Sequence, residues 1–326
     1  MSDKPVLVTG AAGFIGHATA HRLLDRGQRV VGIDNLNDYY ETSLKESRLA
    51  TLSGREGFSF QAGDIAAPDA VAALMREHGI TRVVHLAAQA GVRYSIDNPF
   101  AYQHSNLAGH LAVMEACRYQ PDFQHLVYAS SSSVYGDRPM DGAGFREDDA
   151  VDSPVSLYAA TKRACELMST AYAGLYGFPQ TGLRFFTVYG PWGRPDMAYF
   201  GFTRKIMAGT PIEVYGEGRM ARDFTYIDDI VDGIVGALDN PPESGTNRIL
   251  NIGDSHPVGL MDMISTLEKA LGREATKIMR PMQPGDVTAT YADVSALHAL
   301  TSYKPKVMLA EGLGRFADWY REYYGT

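Results

Sequence analysis

The stretch Thr9-Gly10-Ala11-Ala12-Gly13-Phe14-Ile15-Gly16 leaves this chain few ways to fold. It turns out of an apolar run, Pro5 to Val8, and into one whose apolar residues (Phe14, Ile15, Ala18, Leu23, Leu24) recur at helical spacing. A strand, a glycine turn and a helix N-terminus gather unpaired backbone N–H groups at one point, which favours an anion such as a pyrophosphate. The spacing is Gly10-x-x-Gly13-x-x-Gly16, not G-x-G-x-x-G, so the mechanism of the dinucleotide turn survives while its letter pattern does not. Taken alone, such a turn is equally well a tight strand-to-helix connection with no ligand.

Context weighs against that bland reading. A second apolar run, Gln28 to Ile33, ends in Asp34 and Asn35, at the roughly 20-residue separation where an acid accepts the hydroxyls of an adenosine ribose. A carboxylate there repels a 2′-phosphate, which points to NAD rather than NADP. Strand-like and helix-like stretches then alternate: strands near 5–9, 28–33, 57–61 and 82–87, with helices near 14–26, 39–52 and 68–78 between them. That alternation is the pattern of right-handed βαβ units on a parallel sheet. Asp64-Ile65 closes the third strand, where Asp64 either bonds an adenine amino group or caps the helix before Pro68. Leu86-Ala87-Ala88 ends the fourth strand in small residues that let a cofactor approach the backbone.

Asn98-Pro99 predicts the start of a long helix whose stripe of Leu107, Leu111 and Met114 reads as core or as a seam between two copies. A fifth strand, His125 to Ala129, runs into Ser130-Ser131-Ser132-Ser133, at the sheet edge where open α/β folds bind ligands; a serine run is also commonly a plain polar loop. Tyr158-Ala159-Ala160-Thr161-Lys162 opens the next helix, so phenol and ammonium share a face. A tyrosine acting as a base near neutral pH needs its proton affinity lowered by ~3 pH units from the free value, and a lysine neighbour or an oxidised nicotinamide ring is the kind of group that could do so. Most Tyr-x-x-x-Lys pairs are solvated helix faces; this one gains meaning from the nucleotide-binding half before it.

The chain has 326 residues, 45% hydrophobic and 21% charged, which suits a globular protein of one large or two modest domains. A net charge of −8 argues against a nucleic-acid surface. Cys117 and Cys165 make no metal or redox spacing, and the N-terminus enters a strand at once, so a reducing cytoplasm, no secretion and no membrane span are expected. His17 and His21 stand at metal-ligand spacing without a third ligand. Glu147-Asp148-Asp149 reads as a solvated loop and Asp228-Asp229 as a helix start.

Thr9 to Gly16, Asp34, Asp64, the set Ser131-Tyr158-Lys162, Phe185 to Pro191, Arg222 to Ile227 and Pro284 to Val287 together resemble the extended short-chain dehydrogenase/reductase family. Within it the chain resembles nucleotide-sugar 4-epimerases, above all those of UDP-glucuronate. The resemblance implies an α/β fold: a doubly wound parallel (Rossmann) sheet with a smaller mixed C-terminal lobe. It assigns 1–186, with strands returning near 224–254, to NAD, and 187–223 with 255–326 to the sugar nucleotide. NAD would contact Gly10, Gly13, Phe14, Ile15, Gly16, Asp34, Asn35, Asp64, Ile65, Leu86, Ala87 and Ala88, with Tyr158 and Lys162 at its nicotinamide end. Tyr158, Lys162 and Ser131 would be catalytic.

Relatives that eliminate water carry an Asp-Glu pair where this chain has Ser132 and Ser133, decarboxylating relatives a Glu at Ser133, and UDP-glucose epimerases typically an Asn at Thr187. Hydroxyls at all three positions suit a sugar carboxylate. By resemblance Arg222 contacts the diphosphate, Tyr215 borders the uracil and Asp286 sits near the nucleotide ribose, with Arg93 left between sugar and phosphate. A homodimer is expected by the same resemblance. The competing functions are a neutral UDP-hexose or UDP-pentose epimerase, a ketosugar reductase with net redox turnover, and a non-catalytic NAD sensor.

Overall fold

The computed structural model describes residues 4–67, 69–138, 143–283 and 285–326; Pro68 and Pro284 lie outside them. The elements run β1 (Val6–Thr9), α1 (Phe14–Asp25), β2 (Val30–Asp34), α2 (Thr42–Ser53), β3 (Phe58–Ala62), α3 (Ala70–His78), β4 (Arg82–His85), α4 (Tyr94–Asp97), α5 (Pro99–Tyr102), a π-helical segment (Gln103–Ala108), α6 (Gly109–Tyr119), β5 (His125–Ser131) and α7 (Leu157–Tyr176). There follow β6 (Gln180–Phe185), β7 (Thr187–Tyr189), α8 (Ala198–Met207), β8 (Ile212–Val214), β9 (Ala221–Tyr226), α9 (Ile227–Asp239), β10 (Asn247–Ile252), β11 (Pro257–Gly259), α10 (Leu260–Leu271), β12 (Lys277–Met279), β13 (Ala289–Thr290), α11 (Ser295–Thr301) and α12 (Leu309–Tyr324).

Among the described residues, seven strands form one parallel sheet in the order β3-β2-β1-β4-β5-β6-β10. The inner strands β1 and β2 are buried along their whole length because both faces of the sheet are covered. Val6, Val8, Val84 and Val127 join one cluster with Phe14 and Leu23 of α1 and Ile230 and Ile234 of α9. Their neighbours Leu7, Val83 and Leu126 point the other way, onto Leu74 of α3 and Val113 and Met114 of α6. Chain order reverses between β1 and β4, so the glycine turn and the Leu86–Ala88 run flank the switch point where such sheets open a crevice.

One expectation is refined and one corrected. The long helix after Pro99 runs unbroken to Tyr119, with Asn98 outside it (φ −129, ψ 62), but it is not α-helical throughout: it widens into the π-helical segment between α5 and α6. Its stripe divides accordingly, with Met114 in the core and Leu111 41% exposed. Of the strands returning near 224–254, β10 joins the large sheet, whereas β9 pairs with β7, β11 and β13 in a smaller one. Asp223 holds it there: buried, it accepts the backbone N–H groups of Asp254, Ser255 and Ala292. A two-stranded sheet, β8 with β12, completes the C-terminal lobe.

Candidate active site

At the carboxyl edge of the sheet lies a cleft of about 820 Å³ that reaches from the glycine turn to the C-terminal lobe. Gly10 has φ +71, and a Cβ on it would meet the Ala87 nitrogen at 2.8 Å. A Cβ on Gly16 would stand 2.0 Å from the Gly10 carbonyl oxygen, so helix and turn pack at a distance only glycine allows. Thr9 Oγ1 accepts the N–H groups of Leu86 and Ala87, both at 3.1 Å, and ties the two crevice walls together. Gly13 caps α1 without a side chain, leaving the helix's first N–H groups for a ligand in the cleft.

Gly13, Phe14, Ile15, Asn35, Ile65 and Ala88 line this end with Asp34 and Asp64. Asp34 accepts from the N–H groups of Ala12 (3.1 Å) and Leu36 (2.9 Å), which aims its carboxylate at the turn and leaves lone pairs for further donors. Asp64 is not the cap of α3, which begins beyond it at Ala70. Its carboxylate pairs with His104 (2.9 Å) and the Ala66 N–H (2.8 Å). Burial pushes that carboxyl up, but these hydrogen bonds outweigh it and hold it below the ordinary range.

Ser131 ends β5; its Oγ accepts the Ser133 N–H (3.2 Å) and donates to Ser133 Oγ (3.0 Å). Ser156 caps α7, which puts Tyr158 in its first turn and Lys162 one turn further on. The Lys162 ammonium is buried and donates to the Ala129 carbonyl (3.0 Å). One turn beyond, Glu166 makes a bidentate pair with Arg184 of β6 (2.8 and 2.9 Å) and accepts from Ser130 (2.6 Å). Residues 158, 162 and 166 thus share the α7 face that sets the helix's register on β5 and β6. Ser132, Ser133 and Thr187 line the same cleft as Ser131, Tyr158 and Lys162.

At the far end the structure brings Arg93, Tyr215, Arg222 and Asp286 together. Arg93 pairs with Asp286 (3.0 Å) and lies over the Tyr215 ring, 5.3 Å from its centroid. Arg222 donates to the carbonyls of Val287 (2.7 Å), Ala221 (2.8 Å) and Thr288 (3.2 Å). Burial lowers the proton affinity of its guanidinium, against the opposing charges of Asp286 and Asp137.

Other cleft residues carry no signal in sequence. Arg194 makes a forked pair with Asp196 (3.0 and 2.6 Å), and the Tyr39 hydroxyl donates to the same carboxylate (3.1 Å). All three line the cleft. Burial raises the Asp196 carboxyl, but the Arg194 charge wins and leaves it below its ordinary value. In the π-helical segment, Asn106 bonds both backbone groups of Gln89 and the Thr161 hydroxyl, fixing the loop after β4. His17 and His21 lie 2.9 Å from Thr51 Oγ1, which itself donates to the Arg48 carbonyl. Both rings therefore carry their proton on Nε2 and serve as hydrogen-bond donors to one threonine. Glu147 is only half solvated, its carboxylate accepting the Asn251 N–H, and Asp229 is buried, holding the N–H groups of Lys306 and Val307. Cys117 and Cys165 are free and buried.

The family model for the NAD dependent epimerase/dehydratase family matches residues 6–253. A probable UDP-glucuronate 4-epimerase of Rhizobium meliloti is 48% identical, covering 98% of this chain and 97% of its own. UDP-glucuronate 4-epimerase 2 of Arabidopsis thaliana is 47% identical, covering 98% and 76%. The crystal structure of UDP-glucuronic acid 4-epimerase from Bacillus cereus, in complex with UDP-glucuronic acid and NAD, superposes with a TM-score of 0.91 at 35% identity, over 98% of this chain and 100% of that one. The chain belongs to the NAD dependent epimerase/dehydratase family, within the extended short-chain dehydrogenases/reductases. Inside that family it stands with the NAD-dependent nucleotide-sugar epimerases, close to those of UDP-glucuronate.

Proposed function

We propose that the protein interconverts UDP-glucuronate and UDP-galacturonate by inverting C4, with NAD as a resident cofactor. The observation that carries this reading is the make-up of one cleft, whose lining combines Ser131, Tyr158 and Lys162 with hydroxyls at Ser132, Ser133 and Thr187, positions where an acid would repel a uronate. The cofactor fits the residues: the turn packs against the Ala87 backbone and the start of α1 only because Gly10 and Gly16 lack a Cβ, the first N–H groups of α1 have no side-chain cap and are left for a pyrophosphate, and Asp34 keeps acceptor capacity for ribose hydroxyls while repelling a 2′-phosphate. The similarity to UDP-glucuronate 4-epimerases supports the same substrate.

When bound, NAD supplies an oxidised nicotinamide that takes hydride from C4 of the sugar and returns it to the opposite face. The Tyr158 oxygen takes the proton of the 4-hydroxyl and later gives it back. Ser131 Oγ turns from Ser133 to bond the same sugar oxygen. Lys162 keeps one donor on Ala129 and offers the others to the nicotinamide ribose. Ser132, Ser133 and Thr187 hold the C5 carboxylate, whose orientation decides whether the intermediate 4-ketone, a β-keto acid, loses carbon dioxide. Arg222 grips the diphosphate, with Tyr215 at the uracil and Arg93 and Asp286 beside them.

The test is to incubate purified protein with UDP-glucuronate and no added cofactor, resolve products by NMR and assay bound NAD. UDP-galacturonate should form, with NAD already in the protein. Turnover confined to neutral UDP-hexoses or UDP-pentoses would overturn the substrate, and a need for stoichiometric NAD(P)H would make the enzyme a reductase. We also propose that two copies pair across α5 and α7, where Phe100 (82%), Leu167 (55%) and Leu175 (72%) are exposed; light scattering should give twice the chain mass. The free buried thiols suit a cytoplasmic setting.

A further inference from the structure

Arg48 of α2 is fully buried and has no part in the chemistry above. Its guanidinium donates to the Trp192 carbonyl from Nε (3.1 Å) and Nη2 (2.6 Å), to the Gly193 carbonyl from Nη2 (3.0 Å), and from Nη1 to the Ala12 carbonyl (3.0 Å) and the Tyr40 hydroxyl (2.7 Å). All four acceptors are neutral. A cation withdrawn from water onto neutral carbonyls recovers its hydration incompletely, with no carboxylate among its acceptors to offset the loss. The reason for an arginine must therefore lie in what its fork joins.

The acceptors belong to two separate walls of the cleft. Ala12 is inside the glycine turn, and its own N–H is held by Asp34. Trp192 and Gly193 open the loop that delivers Arg194 and Asp196 to the cleft lining. Trp192 sits at φ +62, a conformation that a bulky side chain adopts only under restraint, and its carbonyl receives two of the five guanidinium bonds. We infer that Arg48 is a positioning residue: one planar fork fixes the glycine turn relative to the loop carrying Arg194, and so couples retention of the dinucleotide to affinity for the sugar nucleotide. This rests on the cofactor and substrate class proposed above. A lysine would keep the charge but could not span the two carbonyls and the turn at once.

The experiment compares wild-type holoenzyme with Arg48→Lys and Arg48→Met, measuring NAD released per chain on denaturation, the exchange rate of bound against labelled NAD, and kcat and KM at saturating NAD. In Arg48→Lys, NAD exchange should quicken and KM should rise together by about tenfold, the loss of roughly one hydrogen bond at each wall, while kcat stays within about threefold. Wild-type exchange and KM in both variants, with only a lower melting temperature, would overturn the proposal and leave Arg48 a purely structural residue. Should the variants not fold, amide exchange on the wild-type holoenzyme decides. Adding UDP should slow exchange in residues 10–16 as well as 190–197, and protection confined to 190–197 would overturn the coupling. Wild-type protein that carries no NAD would remove the cofactor reading and this inference with it.

Discussion

Tyr158 and Lys162 stand one turn apart near the start of α7, and the division of labour between them follows from their surroundings. Lys162 is buried and anchored to Ala129, whereas Tyr158 is half-buried and faces the cleft. Tyr158→Phe should therefore cut epimerisation by about 10²–10⁴, the usual worth of a general acid–base group, while NAD bound per chain stays at the wild-type level. Turnover within a few-fold of wild type would remove the tyrosine from the chemistry. Thr187 answers to a finer question, because its hydroxyl is proposed to touch only the carboxylate. Thr187→Val should raise KM for UDP-glucuronate by about tenfold, the value of one hydrogen bond to a charged group, as read from initial rates. An unchanged KM would take Thr187 out of substrate selection. His17 shows the reverse case: it faces away from the cleft chemistry, packing edge-on against His21 and Trp192 and donating to Thr51.

At the scale of elements, the Glu166–Arg184 pair ties α7 to the sheet, and the same carboxylate bonds Ser130, next to Ser131. Glu166→Ala would leave a buried guanidinium without its carboxylate, and stability should fall by about 3–5 kcal/mol, measured by denaturant unfolding. A loss below about 1 kcal/mol would mean that other contacts set the register of α7. What the sequence made legible was the set of elements whose pattern is local. The alternation of strands and helices, the glycine turn and the acid that ends β2 each depend on residues close together in the chain, and the turn and the acid both line the cleft. The π-helical segment was not legible, because Asn106 is held by Gln89 and Thr161, partners 17 and 55 residues away. Nor was the Tyr39–Asp196 contact, which spans 157 residues and joins two loops of no regular period. The strand at 221–226 pairs outside the large sheet, and this is not legible because its partners are short strands, two of them more than 30 residues downstream, that carry little pattern of their own.

Across the whole molecule, several histidines are folded away in neutral form. Burial, with the nearby charges of His21 and Arg48, drives His17 down to about 2, and burial with Lys162 drives His110 down to about 3. Folding thus lowers their proton affinity from the unfolded value near ~6.5, so their contribution to stability is present above that pH and is lost as pH falls below it, by about 1.4 kcal/mol per pH unit for each such group. Unfolding free energy should accordingly drop steeply between about pH 6.5 and 5, where carboxylates with ordinary values remain ionised. His17→Asn should flatten that slope by about 1.4 kcal/mol per pH unit; an unaltered slope would show that His17 is free to titrate in the folded state. The central claim, that one enclosed cofactor removes and restores the same hydrogen at C4, is tested most directly with UDP-glucuronate deuterated at C4 and no added NAD. The UDP-galacturonate formed should retain the label at C4, with none in solvent. Deuterium washed into water, or conversion only when NADH is supplied, would contradict the account.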